Sequence, residues 1–234
     1  MSKKPRKVLG VLGGMGPAAT AEFLRLLTEL AGAVRDQDHP KVILYSNPQV
    51  PDRTAAMLWG GEDPAPLILE GLKRIESWGA ELLAVPCNTA HVFIDRFRDQ
   101  LQVPLVHIIE ETLSRARQRS PEGAWLTATR ATTASGIYSR EARKQRYNLL
   151  LPGEDVQEEL QEIVSLVKAN HRGVSGMAMA EVVRGLQKKR LLPVVAACTE
   201  LPLAYQASGL DPGGMVSSLE SLAEACLERI YHTG

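Results

Sequence analysis

The stretch Leu82-Leu83-Ala84-Val85-Pro86-Cys87-Asn88-Thr89 is a continuous apolar run that ends in a thiol followed by small polar residues. Pro193-Val194-Val195-Ala196-Ala197-Cys198-Thr199 repeats the pattern in the second half of the chain. Short apolar runs without alternation read as strands buried on both faces, which is how strands of a helix-covered parallel sheet appear. Working outward, further strands are predicted at 7–12, 42–45, 105–108, 124–127 and 147–151, beside those at 82–86 and 193–197. Helical patterns lie between them. Ile68, Leu69, Leu72, Ile75 and Trp78 recur at helical spacing from Pro66 and stop at Gly79. Ser217 and Glu220 form a capping-box pattern ahead of one apolar stripe, Leu219, Leu222, Ala223, Cys226, Leu227 and Ile230.

Both halves begin with a strand leading into small residues, and both carry a later buried strand ending in cysteine and then threonine. The expected fold is α/β: two pseudo-symmetric lobes, each a parallel sheet flanked by helices, with the active site in the cleft between them. Lobe one is expected to comprise residues 1–112 plus 213–234, and lobe two residues 113–212. No linker or low-complexity segment interrupts the chain.

The chain has 234 residues, with 27 basic and 27 acidic side chains that cancel. Nothing in that balance draws it to nucleic acid or an anionic membrane. Lys3, Lys4, Arg6 and Lys7 cluster at the start but lack the apolar stretch of a signal peptide after them. No apolar run approaches the roughly 20 residues of a membrane span, so the expected location is the cytoplasm. Three cysteines, Cys87, Cys198 and Cys226, are too few and too scattered for a disulfide framework. Cys226 sits on the last apolar stripe and reads as core.

Cys87 and Cys198 stand at the carboxyl ends of their strands, where backbone amides and a helix start are expected to lower a thiol pKa. Either alone could be a buried structural cysteine; a pair at equivalent positions points to chemistry. Two opposed thiols suit inversion of a stereocentre next to a carboxylate, one taking a proton from one face and the other returning it on the opposite face. The site must then stabilise negative charge. Asn88, Thr89 and Thr199 are candidates for an anion cradle, with ordinary helix capping as the alternative. Arg53, in Pro48-Gln49-Val50-Pro51-Asp52-Arg53-Thr54, offers a planar fork for a carboxylate or is merely solvated. Leu12-Gly13-Gly14-Met15-Gly16-Pro17 does not have dinucleotide-loop spacing and reads as a substrate loop or a structural turn. Among His39, His91, His107, His171 and His232, only His91 has ligand spacing to a cysteine, at i+4 from Cys87. A zinc site there would need further ligands, and His91 reads as packing or locally hydrogen-bonded.

These four segments, Leu12–Pro17, Pro48–Thr54, Pro86–His91 and Cys198-Thr199-Glu200-Leu201-Pro202-Leu203, together resemble the aspartate/glutamate racemase family, in order and over nearly the whole chain. The resemblance implies a two-lobed homodimer that binds a small amino acid and uses neither cofactor nor metal. It implies Cys87 and Cys198 as the catalytic pair. Met15, Arg53, Thr54, Asn88, Thr89, Thr129, Thr132, Lys168 and Thr199 are its implied substrate-binding residues, Arg53 as the carboxylate binder and Lys168 for an acidic side chain. Ala197 departs from the glycine that commonly precedes the second cysteine. The function so implied is racemisation of aspartate or glutamate. A broader amino-acid range, a non-catalytic carboxylate binder and a redox or metal protein are the competing readings.

Overall fold

A computed structural model describes residues 4–231, so Lys3 and His232 lie outside the described residues. The chain divides into two units, Met1–Ile108 with Leu219–Gly234, and Ile109–Ser218. The first contains β1 (Val8–Gly13), α1 (Pro17–Leu30), β2 (Lys41–Ser46), α2 (Arg53–Leu58), α3 (Ala65–Ser77), β3 (Leu82–Ala84), α4 (Ala90–Ile94) and β4 (Leu105–Val106). Helix α5 (Ile108–Arg119) leads into the second, which holds β5 (Ala124–Ala128), α6 (Arg130–Ser135), α7 (Ile137–Lys144), β6 (Leu149–Leu150), α8 (Glu154–Lys168), α9 (Arg172–Lys189), β7 (Val194–Ala197), α10 (Leu201–Ala207) and β8 (Met215–Ser217). Helix α11 (Ser218–Tyr231) returns the chain to the first unit.

The first sheet has the order β2-β1-β3-β4 and is parallel throughout. Leu9, Val11 and Leu12 of β1 are wholly buried. On one face Ile68, Leu72 and Ile75 of α3 share a buried cluster with Leu12 and Leu83. Gly10 lets α3 come this close, since a Cβ there would stand 2.2 Å from Ile75 Cγ2. The helix stops as its sequence predicts: Trp78 caps it and Gly79 turns the chain with φ of 94°. Helix α11 is tied down at its far end, where the Arg6 amide donates to the Ile230 carbonyl at 3.0 Å and the Tyr231 hydroxyl donates to the Asp38 carbonyl at 2.7 Å.

The second sheet has the order β6-β5-β7-β8, again parallel throughout. This is the order of the first sheet repeated, so β3 and β7 hold the same place. The pseudo-symmetry expected from two weakly similar halves is thus a repeat of strand topology. It is not strict locally, because Gly136 (φ of 65°) separates α6 from α7, whereas α1 is unbroken. Leu160, Ile163, Val164, Val182, Val183 and Leu186 of α8 and α9 pack with Val194 and Ala196 of β7.

Two corrections to the sequence reading concern the second unit. Residues 109–112 and 213–218, expected in the first lobe, fall in the second unit, where Met215–Ser217 form β8 and pair with β7. A three-residue strand running straight into a helix has too little length to show a period, and only its helix cap was visible. The strand expected at 147–151 pairs only over Leu149–Leu150. Among the described residues, no helix is long and apolar enough to cross a membrane.

Candidate active site

In the first unit, three candidate segments leave the carboxyl ends of neighbouring parallel strands: Gly14–Pro17 after β1, Asn47–Asp52 after β2 and Val85–Thr89 after β3. Parallel strands deliver all three loops to one edge, where open α/β sheets hold their ligands. Met15, Val50 and Cys87 share one buried cluster. The glycine loop is built by contact with its neighbour. A Cβ on Gly14 would stand 2.5 Å from the Asn47 carbonyl carbon, and φ at Gly14 is 91°. The Gly14 amide donates to Thr20 Oγ1 at 2.9 Å, so this N–H serves the turn and is not offered to an anion.

Arg53 opens α2, with Asp52 as its N-cap accepting from the Ala55 amide at 2.7 Å. The Arg53 side chain curls back over its own loop: Nη1 donates to the carbonyls of Val50 at 3.2 Å and Pro51 at 3.1 Å. Its Nε is buried and has no hydrogen-bond partner among the described residues. A buried unmatched guanidinium donor is costly, and an anionic oxygen is its natural complement. Thr54 follows it, half-buried.

Cys87 is 6 % exposed, with Asn88 at 2 % and Thr89 at 7 % beside it. Thr89 stands at the N-cap of α4, but its side chain does not cap the helix. His91 is fully buried, and its Nδ1–H donates to the Cys87 carbonyl at 2.8 Å. A carbonyl only accepts, which fixes the proton on Nδ1. The His91 ring meets His107 edge-on with centroids 4.5 Å apart, and His107 Nε2 lies 3.1 Å from Asp95 Oδ1. Burial, then the neighbouring His107, hold the His91 pKa well below its ordinary value.

This has a consequence for stability. In the unfolded chain His91 takes a proton near pH 6.5; in the folded protein it stays neutral. The unfolded state therefore binds more protons below that pH, and stability is full above it and lost as pH falls. Thermal or urea unfolding between pH 8 and 5 is expected to show a loss that begins near 6.5, with a slope up to about 1.4 kcal/mol per pH unit. His91→Phe should flatten that window. Asp63, Glu76 and Asp95 are also lowered, so their losses fall within and below the ordinary carboxylate range and do not overlap it. A flat wild-type profile from 6.5 to 5 would contradict a neutral buried His91.

In the second unit Cys198 follows β7 directly and is 6 % exposed. Its thiol donates to Glu200 Oε2 at 3.1 Å, and the Thr199 hydroxyl donates to the same oxygen at 3.2 Å. Glu200 is itself only 4 % exposed and stands at the N-cap of α10. The expectation of a lowered thiol pKa fails here: burial first, then the adjacent Glu200 carboxylate, push the Cys198 thiol well up. The Glu200 backbone N–H, at the start of the seven-residue α10, favours the thiolate but is outweighed.

Lys168 is exposed at the end of α8. Lys168 is near enough to Cys198 for its charge to favour the Cys198 thiolate. Thr129 and Thr132 are buried after β5. Thr129 caps α6, accepting from the Thr132 amide at 3.2 Å while its hydroxyl donates to Thr132 Oγ1 at 2.9 Å. Capping, the alternative left open for Asn88, Thr89 and Thr199, is a role that Thr129 fills at α6. Cys226 is fully buried in α11. Among the described residues, no group of three or more His, Cys, Asp or Glu side chains is arranged to hold a metal ion.

Each unit thus carries one cysteine at the carboxyl end of the third strand in the same strand order. Sequence reasoning did not single out Glu200, although it stood in the motif quoted for Cys198. An acid directly ahead of the apolar Leu201-Pro202-Leu203 run was the available signal.

A sequence model of the Asp/Glu/hydantoin racemase family matches residues 12–225. The chain belongs to that family. Membership makes it an isomerase, and the expected family resemblance holds over both units. The aspartate racemase of Picrophilus torridus superposes with a TM-score of 0.83 at 30 % identity, over 95 % of this chain and 93 % of that one. A broad specificity amino-acid racemase of Bacillus subtilis, RacX, is 26 % identical over 200 residues, 83 % of this chain and 86 % of its own length. A glutamate racemase of Bacillus anthracis shares the fold with a TM-score of 0.70 at 16 % identity, over 97 % of this chain and 83 % of that one.

Proposed function

We propose that this family member racemises an acidic amino acid, aspartate or glutamate, without cofactor, using Cys87 and Cys198 as its two acid/base groups. The observation that carries the reading is the position of the thiols, at the carboxyl ends of β3 and β7, equivalent strands of two sheets with one topology. In one direction the Cys87 thiolate takes the α-proton and becomes a thiol. Cys198 gives its proton to the other face of the carbanion and becomes a thiolate. The reverse reaction exchanges the roles, so atoms and charge balance in both. Arg53, with its unmatched buried Nε, and Lys168 supply positive charge for carboxylates. Asn88, Thr89, Thr199, Met15, Thr54, Thr129 and Thr132 complete the proposed substrate surroundings.

Aspartate is the first candidate because a solved relative at 30 % identity is an aspartate racemase. The broad specificity of RacX favours a second reading, a wider amino-acid range. The test is incubation of single L- and D-amino acids with chelator and no added cofactor, following optical rotation and deuterium incorporation at Cα from D2O. Loss of rotation with aspartate or glutamate supports the proposal, and comparable rates on neutral amino acids support the wider range. No deuterium uptake with any of them leaves a carboxylate binder and sinks catalysis. The family resemblance is also the ground for proposing a cytoplasmic homodimer, which light scattering tests for its oligomeric part.

A further inference from the structure

Cys198 and Cys87 occupy equivalent strand ends, yet their surroundings differ in charge. Two residues after Cys198 stands Glu200, whose carboxylate oxygen receives the thiol S–H at 3.1 Å. Two residues after Cys87 stands the uncharged Thr89. The titratable group next along, His91, turns its Nδ1–H to the Cys87 backbone carbonyl and not to the sulfur. Sulfur and carboxylate in the second unit are both nearly excluded from solvent, 6 % and 4 % exposed. A buried carboxylate needs donors, and Cys198 Sγ and Thr199 Oγ1 provide them.

We infer that Glu200 is the proton partner of Cys198, holding it as a thiol at rest and taking its proton when Cys198 must serve as the base. A thiolate 3.1 Å from a carboxylate would set two negative charges together in a poorly solvated place, so the resting pair shares one proton and one charge. When the thiolate is required, the S–H bond breaks and an O–H bond forms on Glu200, giving S⁻ and COOH with the charge of the pair unchanged. The Glu200 backbone N–H also points to the sulfur and favours the thiolate once the carboxyl is neutral. Within the racemase reading, on which this role in turnover rests, one enantiomer finds its acid, Cys198–SH, already in place. For the other, Cys87 takes a proton from solvent and Cys198 passes its own to Glu200. After inversion Glu200 returns one proton to solvent, so the cycle balances.

Among the described residues, the other charged or titratable groups coupled to this sulfur are Lys168 at the end of α8, which favours the thiolate, and Tyr138 of α7. Tyr138 is buried and hydrogen-bonded with Thr112, and burial raises its pKa, so it stays neutral through the range in question. Neither takes a proton from Cys198, which leaves Glu200.

The test is the pH dependence of iodoacetamide labelling, read at each cysteine by peptide mass analysis on the full chain. In the wild type, Cys198 labelling should rise only above the ordinary thiol range of about 8.5. In Glu200→Gln the midpoint should fall by about a unit or more, making Cys198 label about tenfold faster at pH 7.5 while Cys87 labelling is unchanged. The alkaline limb of kcat/KM should move down with it. Glu200→Asp, which keeps the charge, should stay near wild type. A Cys198 profile in Glu200→Gln that superposes on the wild type overturns the inference. If that variant does not fold, a wild-type Cys198 midpoint at or below about 8.5 overturns it. Labelling needs no turnover, so failure of the protein to racemise aspartate would sink the proposed function and leave this result readable.

Discussion

Cys87→Ala and Cys198→Ala are each expected to lose racemisation by at least about a thousandfold, from the removal of one acid/base group. Both substitutions delete a single buried sulfur from a well-packed cluster, so the proteins should remain folded with a modest loss of stability. Inversion and proton exchange then part company. Each variant keeps one thiol, and that thiol can still remove and return a proton on its own side. Cys87→Ala should exchange the α-hydrogen of one enantiomer for deuterium without inverting it, and Cys198→Ala that of the other. Measuring deuterium incorporation and optical rotation in parallel separates these outcomes. Full racemisation by either variant would end the two-thiol mechanism. Loss of a bound metal in either would point to the metal reading instead.

Arg53→Leu is expected to lower kcat/KM on the acidic substrate by about 10²- to 10³-fold, the value of a charge-assisted, two-pronged contact in a site of low solvent access. The ground is the geometry of that side chain. Nη1 is anchored on the Val50 and Pro51 carbonyls, and the buried Nε is left without a partner. Arg53→Lys keeps the charge but not the fork, and should recover only a small part of the loss. Residual turnover of a neutral amino acid shows which carboxylate is bound. If Arg53 holds the side-chain carboxylate, neutral substrates change by less than about tenfold, whereas contact with the α-carboxylate depresses all substrates together. Unchanged kinetics on every substrate would remove Arg53 from the proposed site.

Much of this was legible because burial on both faces leaves a plain mark. The runs at Leu82–Ala84, Ala124–Ala128 and Val194–Ala197 are buried at every residue, and each is a strand. Strand order is not written in any one run, and the repeated topology appears only when pairing is known. Strand β8 was missed because three residues cannot display a period. The thiol environment was harder still. Proximity to a helix start is visible in the sequence and suggests a lowered pKa for Cys198. Whether Glu200 folds back onto the sulfur depends on its rotamer and on the burial of both groups, and these reverse the sign. Thr129 shows the same limit: the resemblance offers it as a substrate-binding residue, and the structure has it capping α6.

The return of α11 to the first unit has a bearing on how the molecule is made. Residues 109–218 are contiguous, while the first unit needs segments from both ends of that span. On the ribosome the second unit can therefore close around its own sheet as soon as β8 emerges. The first must wait for Leu219–Tyr231, with their anchors at Arg6 and Asp38, before its core is sealed. Vectorial synthesis thus finishes the Cys198 unit before the unit that carries Cys87, although Cys87 is translated first.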